Sequence, residues 1–206
     1  MYSHQTKRLS AHGDNLWYKI MSGMRTILLT TLCTLLALTA FALDVGKPTP
    51  SLTIQMNGGG SLQLTQYRGK VVALAFMLTT CPHCQNLTKL LSTISKEYEG
   101  KGVQIVGCAF NDDAPQLLPQ FIQQNGGPFP VGYCTRQSVM SYVSYSEASG
   151  KPFYVPHMVF LDRRGVIRGD FAGESDFMSH PEVNIRTELD QLLKAGAPAP
   201  AAAPKK

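Results

Sequence analysis

The sequence predicts an α/β domain in which a central mixed sheet is layered between helices. The uninterrupted apolar run Val71–Met77 and the largely apolar segment Val103–Ala109 read as strands buried on both faces of a parallel sheet. A segment with helical spacing follows each run, and a short hairpin with a last helix closes the alternation. With 206 residues, 44% hydrophobic and 16% charged, the chain suits one domain of ordinary size with short additions at both ends.

The first 42 residues read as a targeting segment. Lys7, Arg8, Lys19 and Arg25 precede an uncharged apolar run from Ile27 to Leu43, and Ala40 and Ala42 form the Ala-x-Ala pattern that a signal peptidase accepts. Cleavage after Ala42 leaves a domain over 43–194 and an Ala/Pro-rich tail over 195–206, expected to be disordered. The alternative is an uncleaved membrane anchor through residues 27–43, slightly shorter than the ~20 residues of a comfortable span. Either way the destination is periplasmic or otherwise extracytoplasmic. Of 19 Lys/Arg and 14 Asp/Glu, 15 and 13 remain after residue 42, with no basic stripe interleaved with aromatics, so nucleic-acid binding is not expected.

In chain order, Leu52–Gln55 and Leu62–Leu64 alternate around Gly58-Gly59-Gly60, the pattern of an N-terminal edge hairpin. The strand at Val71 stops at Thr79-Thr80, where Pro82 occupies a first helical position. Leu87, Leu90, Leu91 and Ile94 then repeat at helical spacing to about Tyr98. After the second buried strand, a helix is expected over about Pro115–Gln124, ended by Gly126-Gly127. Phe129–Tyr133 reads as a short strand and residues 135–150 as partly helical. Val159–Leu161 and Val166–Arg168 flank Asp162-Arg163-Arg164-Gly165, a hairpin turn, before a final helix over about Val183–Lys194.

The chemistry is concentrated in Cys81-Pro82-His83-Cys84 at the strand–helix junction. Residues three apart on a helix are neighbours on one face, close to the separation a disulfide requires. At the helix N-terminus the free N–H groups and partial positive charge favour a Cys81 thiolate. Cys84 points under the first turn as the resolving thiol. One exposed thiolate attacks, and the other sulfur releases the mixed disulfide. His83, flanked by both cysteines, is placed to stabilise that thiolate by hydrogen bond or charge. A structural zinc site needs two further ligands at compatible spacing, and no second Cys-x-x-Cys or His pair is present. Copper(I) remains an alternative, with His157 joining Cys81 and Cys84. Cys108 and Cys134 are equally compatible with a second disulfide and with two buried free thiols, since free cysteine behaves as a small apolar residue. Met158 and Tyr154 read as packing residues.

From about Gly46 to Leu193 the chain resembles the exported thioredoxin-like proteins of the TlpA/ResA kind, within the thioredoxin and alkyl hydroperoxide reductase superfamily. The residues that carry the resemblance are Gly69-Lys70-Val71-Val72, Cys81 and Cys84, Val155-Pro156, Phe160-Leu161-Asp162, Gly165 and Gly173. The resemblance implies a thioredoxin-like fold and a thiol–disulfide oxidoreductase acting on protein thiols or disulfides, with a redox partner to recharge it and no cofactor. It also implies a cis peptide bond at Pro156, packed beside the cysteines, with Pro82, Val155 and Pro156 meeting a client chain. The Cys-Pro-His-Cys string is similar to that of periplasmic disulfide-introducing oxidants. The chain departs from the family at Thr80, where an aromatic residue is usual. Leu87 stands where reductive members commonly place a buried glutamate, so that internal proton acceptor is missing. A peroxiredoxin motif is absent as well, because Leu78 and Leu74 occupy the positions it would need. Copper chaperones of the same fold, the Sco type, usually space their cysteines more widely and lack the cis-proline.

Overall fold

The computed structural model describes residues 45–195. The expected leader over 1–42, its alanine signal and the tail beyond Ala195 lie outside the described residues. Among the described residues, seven strands form one mixed sheet in the order β2-β1-β5-β4-β3-β6-β7. They are β1 (Thr53–Met56), β2 (Ser61–Gln63), β3 (Val71–Met77), β4 (Val103–Ala109), β5 (Val131–Tyr133), β6 (His157–Leu161) and β7 (Ile167–Phe171). The helices are α1 (Pro82–Glu97), α2 (Ala114–Asn125), α3 (Arg136–Tyr142), α4 (Asp176–Ser179) and α5 (Pro181–Ala195). The N-terminal hairpin lies at one edge, where β1 pairs antiparallel with both β2 and β5. The fold is thioredoxin-like, as the sequence resemblance implied.

β3 lies inside the sheet, parallel to β4 from Val71↔Val103 to Met77↔Ala109 and antiparallel to β6. Its alternate side chains enter two separate cores. Val71, Ala73, Ala75 and Met77 pack with Cys84, Leu87, Leu91 and Ile94 of α1 and with Ile185 and Leu189 of α5. Val72, Leu74 and Phe76 pack on the opposite face with Val139, Met140 and Tyr142 of α3 and with Ile54 and Leu62 of the hairpin. Full burial of Leu91 and Ile94 contributes about 1.5–3 kcal/mol each. Small residues at Ala73 and Ala75 leave room for α1 to lie close to the sheet.

Several boundaries differ from the sequence reading. The last helix, expected from about Val183 to Lys194, is α5, which begins at Pro181 and runs through Ala195. Residues 135–150 resolve into α3, capped by Thr135 accepting the Ser138 N–H at 3.2 Å, and a 3-10 turn over Glu147–Ser149. Expected strand Phe129–Tyr133 shortens to Val131–Tyr133, because Pro130 has no N–H for a ladder. α4 has no counterpart in the sequence reading. Its four residues are too few to show a period.

Candidate active site

β3 ends at Met77, and the next three residues turn the chain into α1. Asn111, just past β4, braces that turn. Its Oδ1 accepts the Thr79 N–H at 2.9 Å and its Nδ2 donates to Thr79 Oγ1 at 2.8 Å. Gln85 closes the other side, its Nε2 donating to the Thr79 carbonyl at 3.0 Å. Cys81 is then the N-cap of α1, with Pro82 at the start of the helix. The Cys81 sulfur accepts the Cys84 N–H at 3.3 Å. It thereby satisfies one of the donors that a helix leaves unpaired at its N-terminus.

The two thiols, both free, have different surroundings. Cys81 is partly exposed at the edge of the core, whereas Cys84 is fully buried within it. Burial pushes the Cys84 thiol well above the ordinary cysteine range, and the neighbouring Cys81 sulfur adds to the shift. Cys84 therefore keeps its proton at neutral pH.

The Val155–Pro156 peptide bond is cis. Gly173, just past β7, allows the backbone to pass close to it. A Cβ at Gly173 would lie 2.9 Å from the Val155 carbonyl oxygen and 3.2 Å from that of Pro156. A groove of about 750 Å³ brings His83 and Leu87 of α1 together with Val155 and Pro156. His83 is exposed along this groove and forms no hydrogen bond with the Cys81 sulfur. Pro82, at the tip of the helix, is exposed next to Cys81.

His157 does not join the cysteines. It pairs with Phe76 in the ladder and shares that residue's side of the sheet, opposite the face carrying Cys84. Its Nε2 is bonded to Asp170 Oδ1 on β7, and its ring stacks on Phe153 at 5.0 Å. Both side chains of this pair are buried, at 6% and 5% exposed. The three-ligand copper set of Cys81, Cys84 and His157 is therefore not assembled, because strand alternation sends His157 to the wrong face. Among the described residues no three His, Cys, Asp or Glu side chains are grouped to hold a metal ion.

On the same far face, Cys108 of β4 and Cys134 after β5 form a disulfide with Cα atoms 6.3 Å apart. This resolves the choice left open by the sequence. Three residues escaped the sequence reading: Asn111 at the site, and Asp170 and Phe153 across the sheet from it. Asn111 reads only as a residue preceding a helix. Asp170 and Phe153 acquire partners only when β6 pairs with β7 and the loop before Pro156 folds back.

Comparisons with known proteins agree with this architecture. Residues 44–185 match the Redoxin family. The thiol-disulfide oxidoreductase ResA of Geobacillus thermodenitrificans is 26% identical over 77% of this chain and 93% of its own length. A thiol:disulfide interchange protein of the thioredoxin family from Chlorobium tepidum superposes with a TM-score of 0.59 at 21% identity, over 75% of this chain and 99% of that one. A thiol:disulfide interchange protein from a Bacteroides species gives 0.59 at 18% identity, over 79% and 97%. At these identities the two solved structures speak for the fold.

Proposed function

This chain belongs to the Redoxin family, as a thioredoxin-like thiol–disulfide oxidoreductase of the TlpA/ResA kind, and from that premise we propose that it is exported and works through Cys81 as the attacking sulfur and Cys84 as the resolving one. Its substrates are protein thiols and disulfides. The observation that carries the division of labour is the contrast between the two sulfurs. Cys81 is a partly exposed N-cap taking a hydrogen bond from the Cys84 amide, while Cys84 is a buried thiol held protonated.

In the reductive direction the Cys81 thiolate attacks one sulfur of a client disulfide. A Cys81–client bond forms, the client S–S bond breaks, and the departing client thiolate takes up a proton. Cys84 then loses its proton and attacks the Cys81 sulfur, expelling the second client thiolate. Two electrons have passed from the enzyme dithiol to the client, leaving a Cys81–Cys84 disulfide. The oxidative direction runs the same bonds backwards. Pro156 and Val155 border the client's path, and Pro82 shields the helix tip. His83 beside Cys81 supplies a polar group that favours the thiolate.

The roles are tested by trapping. Cys84→Ala should accumulate client mixed disulfides through Cys81, and Cys81→Ala should not. Trapping by Cys81→Ala alone would reverse the assignment. Export, and removal of the leader after Ala42 to free the domain over 43–194, is tested by intact mass. A mature chain starting at Leu43 is expected; retention of residues 27–43 would indicate an anchor.

A further inference from the structure

The groove beside the cysteines continues past Pro156 into a region to which no role has been given. Its far wall is the turn joining α4 to α5, from Met178 to Val183. That wall is firmly held. Phe177 of α4 stacks on Phe171 with ring centroids 3.7 Å apart, and Asn184 Nδ2 donates to the Phe177 carbonyl at 2.8 Å. The cleft between α1 and this turn is therefore preformed.

Two features of its lining set its chemistry. Among the described residues, three large apolar side chains are exposed: Val45, Tyr154 and Val183. Tyr154, at 44%, and Val183, at 64%, both line this groove, together with Leu90 and Met178. Scattered exposed apolar residues need no explanation, but two lining one cleft next to a reactive thiol indicate a surface that expects cover. The lining carries two carboxylates, Glu174 and Glu182, and two imidazoles, His83 and His180, with no lysine or arginine. Arg186 approaches Glu182, with N···O at 3.9 Å, but is itself held by Glu97 through bonds of 2.7 and 2.8 Å. Glu174 is exposed with no ion-pair partner among the described residues. A domain with 15 Lys/Arg against 13 Asp/Glu after residue 42 thus keeps two carboxylates in the groove beside its reactive site.

We infer that this extension of the groove receives the stretch of client chain next to its reacting cysteine, and that it selects clients carrying an apolar residue and a lysine or arginine close to that cysteine. The inference rests on the oxidoreductase reading and specifies its substrates. With the client sulfur at Cys81, an extended segment advances ~3.4 Å per residue, so the side chains entering the cleft belong to the first few positions beside the cysteine. Its volume of about 750 Å³ is within the range of small-ligand pockets and accommodates a few side chains. The apolar residue covers Tyr154, Met178 and Val183, and the cation meets Glu174.

The test uses the reduced full chain and two peptides, Cys-Leu-Lys and Cys-Leu-Glu, each capped as a mixed disulfide with glutathione. Each turnover converts the enzyme dithiol to its disulfide and releases peptide thiol and glutathione, which chromatography follows. The lysine peptide should react roughly two- to fivefold faster, the range an exposed ion pair supports, and its advantage should shrink as salt is raised. Glu174→Lys should abolish or invert the preference, and Val183→Asp should slow both peptides. Equal rates for the two peptides, or a preference that survives Glu174→Lys, would overturn the inference. Exchange of the wild type with dithiothreitol is measured alongside. If that exchange is present, failure belongs to the groove alone; if it is missing, the oxidoreductase reading itself is lost.

Discussion

Each face of the sheet carries a pair of cysteines and a histidine, and the two sets have opposite fates. On the near face, Cys81 caps α1 at the surface, Cys84 lies directly beneath it, and His83 stands in an open groove. On the far face, Cys108 and Cys134 are bonded to each other, and His157 is bonded to Asp170 under Phe153. Residue type therefore does not decide reactivity here. A thiol at a helix N-terminus with access to solvent can attack, while a sulfur sealed between β4, β5 and α3 can only brace. The lesson extends to the histidines. His83 is exposed beside the reactive pair, where we propose it tunes the thiolate, and His157 holds strands together.

The sharpest way to break this contrast is to remove sulfurs one face at a time. Cys81→Ala should lower insulin reduction by at least about a thousandfold, as loss of a nucleophile does. The double variant Cys108→Ala/Cys134→Ala should keep turnover within about threefold of the wild type. A comparable loss in the double variant would mean that the far pair takes part in electron transfer.

The far face should instead reveal itself in stability. Asp170→Ala leaves His157 Nε2 buried without its hydrogen-bond partner, and leaving a buried polar group unsatisfied in this way costs about 1–3 kcal/mol. Tyr142 adds to the sensitivity of this region. Its hydroxyl lies 2.6 Å from Thr49 Oγ1, and burial, aided by the charge of Asp170, pushes its pKa up to about 12. The disulfide gives a second, independent readout. The double cysteine variant, which opens a loop spanning 26 residues, should lose about 3–4 kcal/mol in urea unfolding. Stability unchanged in both variants would remove the structural role assigned to this face.

The near face was the more legible of the two, for physical reasons. β3 announces itself because all seven residues are buried, so the apolar run is unbroken. Cys81 and Cys84 are local in sequence, and their geometry follows from helix spacing alone. Pro156 was legible only through resemblance, since nothing in a lone Val-Pro pair states which isomer it adopts. The far face is built from partners distant in sequence. Cys134 meets Cys108 because β5 runs parallel to β4, and Asp170 meets His157 because β6 and β7 pair antiparallel. Strand periodicity shows that such residues are buried and does not show whom they touch. The copper alternative, which would bring His157 to Cys81 and Cys84, fails for this reason: one position along a strand reverses the face.

A smaller effect sharpens the contrast within the near pair itself. Cys84 has its thiol pKa raised in the folded state, mainly by burial. Folding thus favours the protonated form. The corresponding stability of the reduced protein is fully present below the unfolded thiol value of about 8.5 and is lost as pH rises towards the higher folded value. Reduced protein should therefore weaken between pH 8 and 10 more than the Cys84→Ala variant does. Parallel pH profiles for the two would mean that Cys84 is not buried as described.

The smallest effect concerns exposed His83. The proposed thiolate stabilisation by His83 would favour the dithiol state over the disulfide, so losing it should make the disulfide harder to reduce. His83→Ala should shift the potential in the negative direction. The sulfur of Cys81 already takes a hydrogen bond from the Cys84 amide, and His83 is solvated in the groove, so the change should be no more than about 30 mV, equivalent to about 1.4 kcal/mol. Equilibration with glutathione measures this directly. His157→Ala, by contrast, should destabilise the fold while leaving the potential of the folded protein almost unchanged, because its ring lies across the sheet from both reactive sulfurs. A potential that responds to His157 and ignores His83 would exchange the roles of the two faces.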